Sequence, residues 1–415
     1  MKDDGGAKSE TPLLQVAEIN GRGRSLVAAQ PLRAGQVILR ESPLLLYSAF
    51  PFLTSSPSPY CDHCFRHLSQ SSHRCQSCSL VSFCTPNCLS FHTPWLCESL
   101  RRLHQSSSAA FADQSPERQV QARFLLSAYN LASASPPDFQ ILLSLQGNGD
   151  STSDSAFLHA LLSSVCPPLP VPISPELTAA LLEKDKVNGF GLMEPFSVCN
   201  EKRSLTAALL EKDKVNGFGL MEPFSVCNEK RSVRAYGIYP KTSFFNHDCL
   251  PNACRFDYVD SDSSDGNNTD IIIRMIHDVP LGREVCLSYF PVNMNYAGRQ
   301  KRLLEDYGFR CECDRCKVES GWSEGEDDEN EEAMDEMDGG EDDQEEEMEE
   351  EEEEEGCGDD ESSFPHAYFF ARYMCEKENC FGTLAPLPPK SHDVSRFLEC
   401  NVCGSVKEDE VGGNP

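Results

Sequence analysis

The sequence predicts a mixed α+β protein with a mainly-β domain that is split in two and held together by zinc. Short runs of alternating apolar residues, from Leu13 to Ser48 and again from Val233 to Phe290, are typical of strands and hairpins. The stretch from Arg101 to Ala180 instead has apolar residues at helical spacing, as in QVQARFLLSAYNLA. Cysteine accounts for 21 of the 415 residues, and most of these cysteines fall into three groups with metal-ligand spacing.

The negative charge is concentrated in one segment. The formal net charge is −31, and residues 324–361 alone hold 26 acidic residues and no Lys or Arg. The rest of the chain is only mildly acidic and has no basic face, so we expect no direct sequence-specific binding of nucleic acid. The acidic block cannot bury a core, which predicts an acidic disordered linker over residues 318–362. Such a run is usually a solvated linker, although it could also hold a basic, histone-like substrate.

The interpretation of the cysteines depends on whether the protein's cellular compartment keeps thiols reduced. No run approaches the ~18 apolar residues of a membrane span, and the opening MKDDGGAKSE lacks the pattern of a signal peptide. We therefore expect a soluble intracellular protein of the nucleus and/or cytoplasm, with no membrane partner. Thiols in these compartments are kept reduced, so the cysteines predict zinc sites rather than disulfides.

The first cysteine group has the spacing of two zinc sites. CxxC knuckles supply two ligands each, and each zinc ion takes four tetrahedral N/S ligands, so eight ligands imply two ions. His92 is the weakest of the eight, and a bystander role for it stays open. The predicted ligands are Cys61, Cys64, Cys75, Cys78, Cys84, Cys88, His92 and Cys97.

Two further cysteine groups lie in the C-terminal half. Cys311, Cys313 and Cys316 are three ligands without a fourth nearby, and because a structural zinc site is closed, another part of the chain must complete it. A zinc ribbon-like segment over residues 363–415 is predicted from its four spaced cysteines. The ribbon ligands are Cys375, Cys380, Cys400 and Cys403. The cysteines that we interpret as ordinary thiols are Cys166, Cys199, Cys227, Cys254, Cys286 and Cys357.

The chain contains a perfect tandem duplication. Residues 177–204 recur without one change as residues 205–232, and each copy contains VNGFG. Solenoids need three or more repeats to bury a shared core, so we interpret this as a recent duplication or a gene-model error rather than a working array.

Three segments together resemble the split SET domain of SET and MYND domain (SMYD-type) protein lysine methyltransferases, most of all the plant ASH1-related group. The segments are GRGRSLVAA at Gly21, FFNHDCLPNA at Phe244, and REVCLSYF followed by EDYGFRCECDRC. The resemblance implies two SET parts around an inserted finger and a helical insert. The expected ranges are residues 11–50 and 236–310 for SET, 57–100 for MYND, 101–235 for the helical insert and 311–317 for the post-SET segment.

The resemblance also implies the cofactors, S-adenosyl-L-methionine and about four zinc ions. It pairs Cys61, Cys64, Cys84 and Cys88 around one ion and Cys75, Cys78, His92 and Cys97 around a second, and makes Cys249 the fourth ligand of the post-SET site. Asn246 and His247 would offer amide and imidazole groups to the cofactor. We assign the VNGFG strand to Asn216, whose copy runs directly into AYGIYP, with Asn188 as the fallback. The cofactor-binding residues implied are Arg22, Gly23, Arg24, Asn216, Ser243, Phe245, Asn246, His247, Tyr289 and Phe309.

The expected chemistry is direct methyl transfer from a sulfonium to a neutral lysine amine, held in line by a narrow aromatic channel. The resemblance implies that Tyr307 aligns the amine, that Tyr289 lines the channel, and that both are catalytic residues. The implied substrate is a protein with an accessible lysine, such as a histone, and the finger would bind Pro-rich peptides. The alternative is a catalytically inactive SET-MYND protein-interaction or corepressor module.

Overall fold

The computed structural model describes residues 12–52, 58–69, 72–105, 114–147, 152–169, 172–193, 233–261, 267–321, 366–378, 380–389 and 394–409. The acidic block and the second copy of the duplication lie outside these residues, and so does Asn216.

A hairpin with a glycine-containing turn opens the described part of the chain. Strands β1 (Leu14–Ile19) and β2 (Gly23–Ala28) pair antiparallel. The turn between them needs a positive φ, which Gly21 and Gly23 adopt at 76° and 69° at no steric cost. No heavy atom lies within 4 Å of the place that a Cβ would take at either glycine, so the turn borders open space.

Two three-stranded antiparallel sheets join chain segments that are far apart in sequence. One sheet has the strand order β10–β11–β3 and the other β4–β8–β7. The first comprises β3 (Val37–Glu41), β10 (Ala253–Asp257) and β11 (Ile271–Met275); the second comprises β4 (Leu45–Ser48), β7 (Gly189–Met193) and β8 (Val233–Ile238). Each sheet needs a strand from the first 50 residues, so the two parts of the β domain fold as one body around buried apolar side chains such as Phe190, Phe245 and Ile273.

A short parallel pair places the Asn-His dipeptide. A 3₁₀ turn (Thr242–Phe244) leads into β9 (Asn246–His247), which pairs in parallel with β12 (Cys286–Leu287). This pairing brings the segment around Glu284 beside Asn246 although the two are far apart in the chain.

The helices pack around one central helix that lies against β4. Within the first cysteine group, β5 (His73–Arg74) and β6 (Ser82–Phe83) form a hairpin. Six helices follow in the chain: α1 (Pro86–Ser90), α2 (Pro94–Gln105), α3 (Pro116–Ala134), α4 (Pro136–Ser144), α5 (Ser153–Val165) and α6 (Pro175–Asn188). Five of these six helices start with proline, which is preorganised for the first helical turn. Helix α3 is central, since Phe124 and Leu125 are fully buried against the neighbouring helices and β4.

The strand beside β8 comes from the first copy of the duplication, whereas we expected the second. Helix α6 runs directly into β7, so the first copy supplies a helix and a strand in succession. Phe190 of this copy is fully buried, with its ring 5.4 Å from that of Tyr239. Helix α6 packs mainly against α5 and α3, and this packing holds the first copy in place. Sequence proximity to AYGIYP does not reveal it.

The C-terminal elements pack against the β domain. They are α7 (Tyr296–Tyr307), α8 (Asp314–Glu319), α9 (Ala367–Tyr373), β13 (Leu384–Pro386), β14 (Phe397–Cys400) and β15 (Val406–Glu408). The last three strands form one antiparallel sheet. Its Glu399 pairs with the buried Arg274 of β11 at 2.8 Å, and a Cβ at Gly35 would lie 2.6 Å from the Leu387 carbonyl oxygen. The C-terminal sheet is therefore in close contact with the β domain.

Candidate active site and zinc centres

The glycine turn and the Asn-His strand meet through Arg22. Its guanidinium donates to the His247 carbonyl oxygen at 2.6 Å and pairs with Glu284 at 2.9 Å. Residues more than 200 positions apart in sequence thus form one wall, next to the open space beside Gly21 and Gly23. Arg24 lies near this wall, with its guanidinium 4.8 Å from the centroid of the Phe244 ring.

Glu284 holds the Asn246 side chain, a role that sequence reasoning missed. Its Oε1 accepts from the Asn246 amide at 2.9 Å and from the Ser25 hydroxyl at 2.5 Å, while its other oxygen pairs with Arg22. The Asn246 Nδ2 also donates to the Arg22 carbonyl oxygen at 3.4 Å. Both of these hydrogen bonds use the Asn246 nitrogen, and neither uses its Oδ1. The parallel pairing of β9 with β12 brings Glu284 and Asn246 together, and no local pattern in the sequence predicts this contact.

Both ring nitrogens of His247, the residue whose imidazole we expect to serve the cofactor, have contacts within the protein. Nε2 lies 3.2 Å from Cys249 Sγ, and Nδ1 accepts from the Tyr289 backbone N–H at 3.1 Å. Burial lowers the pKa of the ring to about 3, so the neutral form is favoured and Nε2 is the donor. His247 therefore links a cysteine of the third zinc set to Tyr289.

Tyr289 and Tyr307 form a pair in which only the Tyr289 hydroxyl has a hydrogen-bond partner among the described residues. Their ring centroids are 4.9 Å apart at an interplanar angle of 47°. The Tyr289 hydroxyl donates to the Phe245 carbonyl oxygen at 2.9 Å. The Tyr307 hydroxyl is buried and has no hydrogen-bond partner among the described residues. A buried polar atom without a partner costs free energy, and such an atom often marks a ligand site.

The other predicted cofactor residues take different positions. Phe309 is partly exposed, with its ring 6.4 Å from that of Tyr307, so it borders the tyrosine pair. The Phe245 side chain is instead fully buried in the β core, and only its carbonyl faces Tyr289. The Ser243 hydroxyl donates to the Tyr239 carbonyl oxygen at 3.0 Å. Phe245 and Ser243 thus support the turn before Asn246, and the structure does not place their side chains beside the tyrosine pair.

Asn188, the fallback residue, is buried at the end of α6. Its amide donates to the carbonyl oxygens of Gln146 and Lys184 at 2.8 and 2.9 Å. These bonds tie α6 to the loop after α4 rather than to the Arg22 wall. Asn216 lies outside the described residues.

Four cysteine and histidine sets have the geometry of zinc sites. Within each set the candidate ligand atoms all lie within 4.8 Å of one another. The sets are Cys61, Cys64, Cys84 and Cys88; Cys75, Cys78, His92 and Cys97; Cys249, Cys311, Cys313 and Cys316; and Cys375, Cys380, Cys400 and Cys403. They coincide with the predicted sets, including His92 in the second and Cys249 in the third.

The sulfur separations test whether zinc fits these sets. Tetrahedral bonds of about 2.3 Å require sulfur atoms about 3.8 Å apart, whereas a disulfide brings them to about 2.05 Å. The Sγ···Sγ distances are 3.5 Å for Cys64 and Cys84, 3.7 Å for Cys75 and Cys97, 3.9 Å for Cys249 and Cys311, and 3.8 Å for Cys375 and Cys403. The four sets could therefore each bind one zinc ion.

Among the described residues no helix is long and apolar enough to cross a membrane.

A β domain assembled from two separated chain segments, with an Asn-His strand beside a glycine turn and a tyrosine pair, defines the SET class of proteins. The SET domain family profile matches residues 23–290, more than half of the chain, and the chain belongs to this family. It is 74% identical over 429 residues to histone-lysine N-methyltransferase ASHR2 of Arabidopsis thaliana, with 100% of both chains covered.

More distant relatives share part of their length with this chain. Human histone-lysine N-methyltransferase SMYD3 is 22% identical over 313 residues, which cover 72% of this chain and 60% of SMYD3. Histone-lysine N-methyltransferase ASHR1 of Arabidopsis thaliana is 23% identical, with 73% of this chain and 55% of ASHR1 covered. The solved structure of Rubisco LSMT bound to AdoMet matches at 13% identity and a TM-score of 0.25, over 74% of this chain and 54% of that chain.

Proposed function

We propose that this protein is an S-adenosyl-L-methionine-dependent protein-lysine N-methyltransferase that acts on histones. The single observation that carries the proposal is the buried, unpartnered Tyr307 hydroxyl beside Tyr289, in a SET domain. The full-length similarity to a protein described as a histone-lysine N-methyltransferase supports the substrate class.

The cofactor would lie beside the turn of Arg22, Gly23 and Arg24, in the open space that the glycines leave. Asn246 would accept a hydrogen bond through Oδ1, because Glu284 and the Arg22 carbonyl oxygen hold its nitrogen. Phe309 would pack against the cofactor from the side of the tyrosine pair. When bound, S-adenosyl-L-methionine supplies a methyl group on a sulfonium centre.

The tyrosine pair would hold the lysine amine. The Tyr289 hydroxyl donates to the Phe245 carbonyl oxygen, so Tyr289 would contribute a fixed aromatic wall. Burial raises the pKa of Tyr307, so its hydroxyl stays neutral and can accept a hydrogen bond from the amine. A buried aromatic environment also favours the neutral amine, whose ordinary pKa is about 10.4. Because burial keeps the Tyr307 hydroxyl protonated, it does not serve as the base, and we assign loss of the lysine proton to solvent.

The zinc sets would have a structural role around this site. We assign the first two sets to a MYND finger, the third to a post-SET segment and the fourth to a ribbon. All four are closed sets of four ligands, as structural zinc sites require, and none keeps an open position for a substrate.

The test is methyl transfer from labelled cofactor onto purified histones by the parent protein and by Tyr307→Phe. The proposal expects transfer by the parent, onto lysine, and its loss in the variant. Cofactor affinity is measured separately by calorimetry. Should the parent bind no cofactor, the alternative of an inactive interaction module replaces this proposal.

We also propose a peptide-binding role for the groove between the first cysteine group and the helices. The groove has a volume of about 260 Å³ and is lined by Phe52, His63, Phe91, Leu96 and Asn130 among others. The rings of His63 and Phe91 stack at 4.1 Å, and Phe91 is 55% exposed. Aromatic-lined grooves suit Pro-rich peptides, which are already extended before they bind.

Fluorescence anisotropy with a labelled Pro-rich peptide tests this role. Phe91→Ser should weaken binding at least tenfold, whereas Ile141→Ser, which changes another exposed apolar residue, should not. Equal affinities of the Pro-rich peptide and a version with alanine in place of proline would refute the proposal.

A histone substrate implies action in the nucleus, as a regulator of chromatin. Imaging of the tagged protein in living cells tests this location. Exclusion of the chain from nuclei would contradict it.

A further inference from the structure

Arg299 of α7 has an unusual set of partners for a buried arginine. Its side chain is 0% exposed. Nε donates to Cys249 Sγ at 3.2 Å, and Nη2 donates to Cys316 Sγ at 3.6 Å and to a Glu319 carboxylate oxygen at 2.6 Å. The remaining nitrogen donates to the Met294 carbonyl oxygen at 2.7 Å. Two of its contacts are therefore with sulfur atoms of the third zinc set.

The charge of that set explains why a cation is buried there. Four thiolates and one zinc(II) ion carry a net charge of −2, and a buried anionic centre needs nearby positive charge and hydrogen-bond donors. Arg299 supplies both, and His247 adds a neutral donor to Cys249. Glu319 also pairs with Arg315, so the two arginines and one carboxylate leave one positive charge toward the zinc set.

Helix α7 connects this contact to the tyrosine pair. Arg299 and Tyr307 lie on the same helix, eight residues or about 12 Å apart. The neighbouring Gln300 adds two bonds to the backbone of Cys311, with its side-chain nitrogen donating at 2.8 Å and its oxygen accepting at 3.1 Å. The helix is thus attached to the zinc set near its start and carries Tyr307 as its last residue.

We propose that Arg299 is a positioning residue that couples the third zinc set to the placement of Tyr307. Its sulfur contacts hold the ligand cysteines and orient α7. Tyr289 depends on the same set, because His247 lies against Cys249 and accepts from the Tyr289 backbone. The role in catalysis rests on the proposed function, whereas the effect on zinc does not.

The test compares Arg299→Lys with Arg315→Lys in the full chain. Lysine keeps the charge but loses the planar, multidentate geometry of the guanidinium. Arg315 is also a buried partner of Glu319, but its other hydrogen bonds go to backbone carbonyl oxygens, including that of Cys249 at 3.5 Å, and none goes to a sulfur atom. Its guanidinium also lies 4.7 Å from the centroid of the Phe370 ring. Zinc affinity is measured by competition with a chromophoric chelator, and alkylation of the released cysteines identifies which set lost its ion.

Arg299→Lys should weaken zinc binding at the third set by about 10- to 100-fold, the usual effect of losing a residue that supports metal ligands. Its kcat should fall by up to about 100-fold through misplacement of Tyr307, with the KM for cofactor within twofold. Arg315→Lys should change zinc affinity less than threefold. Equal zinc affinities in the two variants, or an unchanged kcat in Arg299→Lys, would overturn the proposal.

A second measurement covers the case in which Arg299→Lys does not fold. Increasing chelator is added to the parent protein, and methyl transfer is followed together with alkylation of each cysteine. Activity should disappear in step with exposure of Cys311, Cys313 and Cys316, and activity that survives their alkylation contradicts the proposal. A parent that never methylates would instead remove the proposed function, whereas the zinc affinities of the two variants, where both fold, test the Arg299 contacts without any activity measurement.

Discussion

The carboxylate of Glu41 accepts hydrogen bonds from both the backbone N–H and the hydroxyl of Thr242, at 2.8 and 2.7 Å. Its other oxygen accepts from the Lys241 backbone N–H at 2.8 Å. A buried carboxylate at the end of β3 therefore holds the 3₁₀ turn that leads into Asn246 and His247, although about 200 residues separate the two.

Glu41→Gln should loosen this turn. The amide of Gln replaces one accepting oxygen with a donor that faces other donors, and one hydrogen bond to a charged group contributes about 1.5–3 kcal/mol. We expect a loss of that size in the free energy of unfolding and weaker cofactor binding, measured by denaturant titration and calorimetry. The exposed Glu18→Gln is the control and should change neither. Equal effects in the two variants would contradict the assignment.

Tyr307→Phe should separate catalysis from stability. It removes a hydroxyl that no described residue bonds, so the free energy of unfolding should stay the same or rise slightly. Methyl transfer should fall about 10²- to 10³-fold, as for the loss of one hydrogen bond made in the transition state. Tyr239→Phe should behave in the opposite way, because that hydroxyl donates to the Thr269 carbonyl oxygen and lies in the core. Rapid methyl transfer by Tyr307→Phe would exclude a catalytic role for its hydroxyl.

The two copies of the duplication should tolerate mutation unequally. Phe190→Ala removes a fully buried ring from the β core and should cost about 3–5 kcal/mol, whereas Phe218→Ala at the matching position of the second copy should cost less than about 0.5 kcal/mol. Thermal unfolding of the two variants measures the difference. Equal destabilisation would show that both copies contribute to the core.

A chain with one copy should fold and keep its activity. Because the copies are identical and adjacent, deletion of either one gives the same polypeptide, so a single variant tests the point. Strand β8 already pairs with β4 on one edge and with β7 on the other, so one copy is enough to complete this sheet. Shortening a connection changes its closure entropy only slightly. Loss of cofactor binding in this variant would mean that the duplication is functional.

Arg274 and Glu399 should anchor the C-terminal sheet. The Arg274 guanidinium is buried 3.6 Å above the Phe256 ring centroid, and Tyr258 donates to the same Glu399 oxygen at 2.9 Å. Glu399→Gln leaves the arginine without its counter-charge and should cost about 3–5 kcal/mol of unfolding free energy. The double variant Arg274→Met with Glu399→Gln should recover part of this loss. A cost below about 0.5 kcal/mol for Glu399→Gln would show that the sheet is not anchored by this pair.

Sequence alone determined those features of this protein that are local or carried by a distinctive motif. Cysteine spacing placed three ligands of the third set and all the ligands of the fourth, since a metal ion fixes ligand type and separation. The motif around Asn246, with Tyr289 and the cysteines after Tyr307, indicated the family, and the full-length identity of 74% to ASHR2 confirms it.

Only the tertiary structure decided which atoms of these residues are free to act. The sequence predicts His247 as a cofactor-binding residue, and the structure adds that its two ring nitrogens contact Cys249 and Tyr289. Glu284 and Arg299 carry no motif of their own, because each owes its role to hydrogen bonds that only folding creates. Identical copies cannot be ranked by sequence either, and the packing of α6 is what places Phe190 in the core. The hydrogen-bond partners and the burial of a side chain depend on which distant segments of the chain meet. A local sequence motif does not show which segments these are.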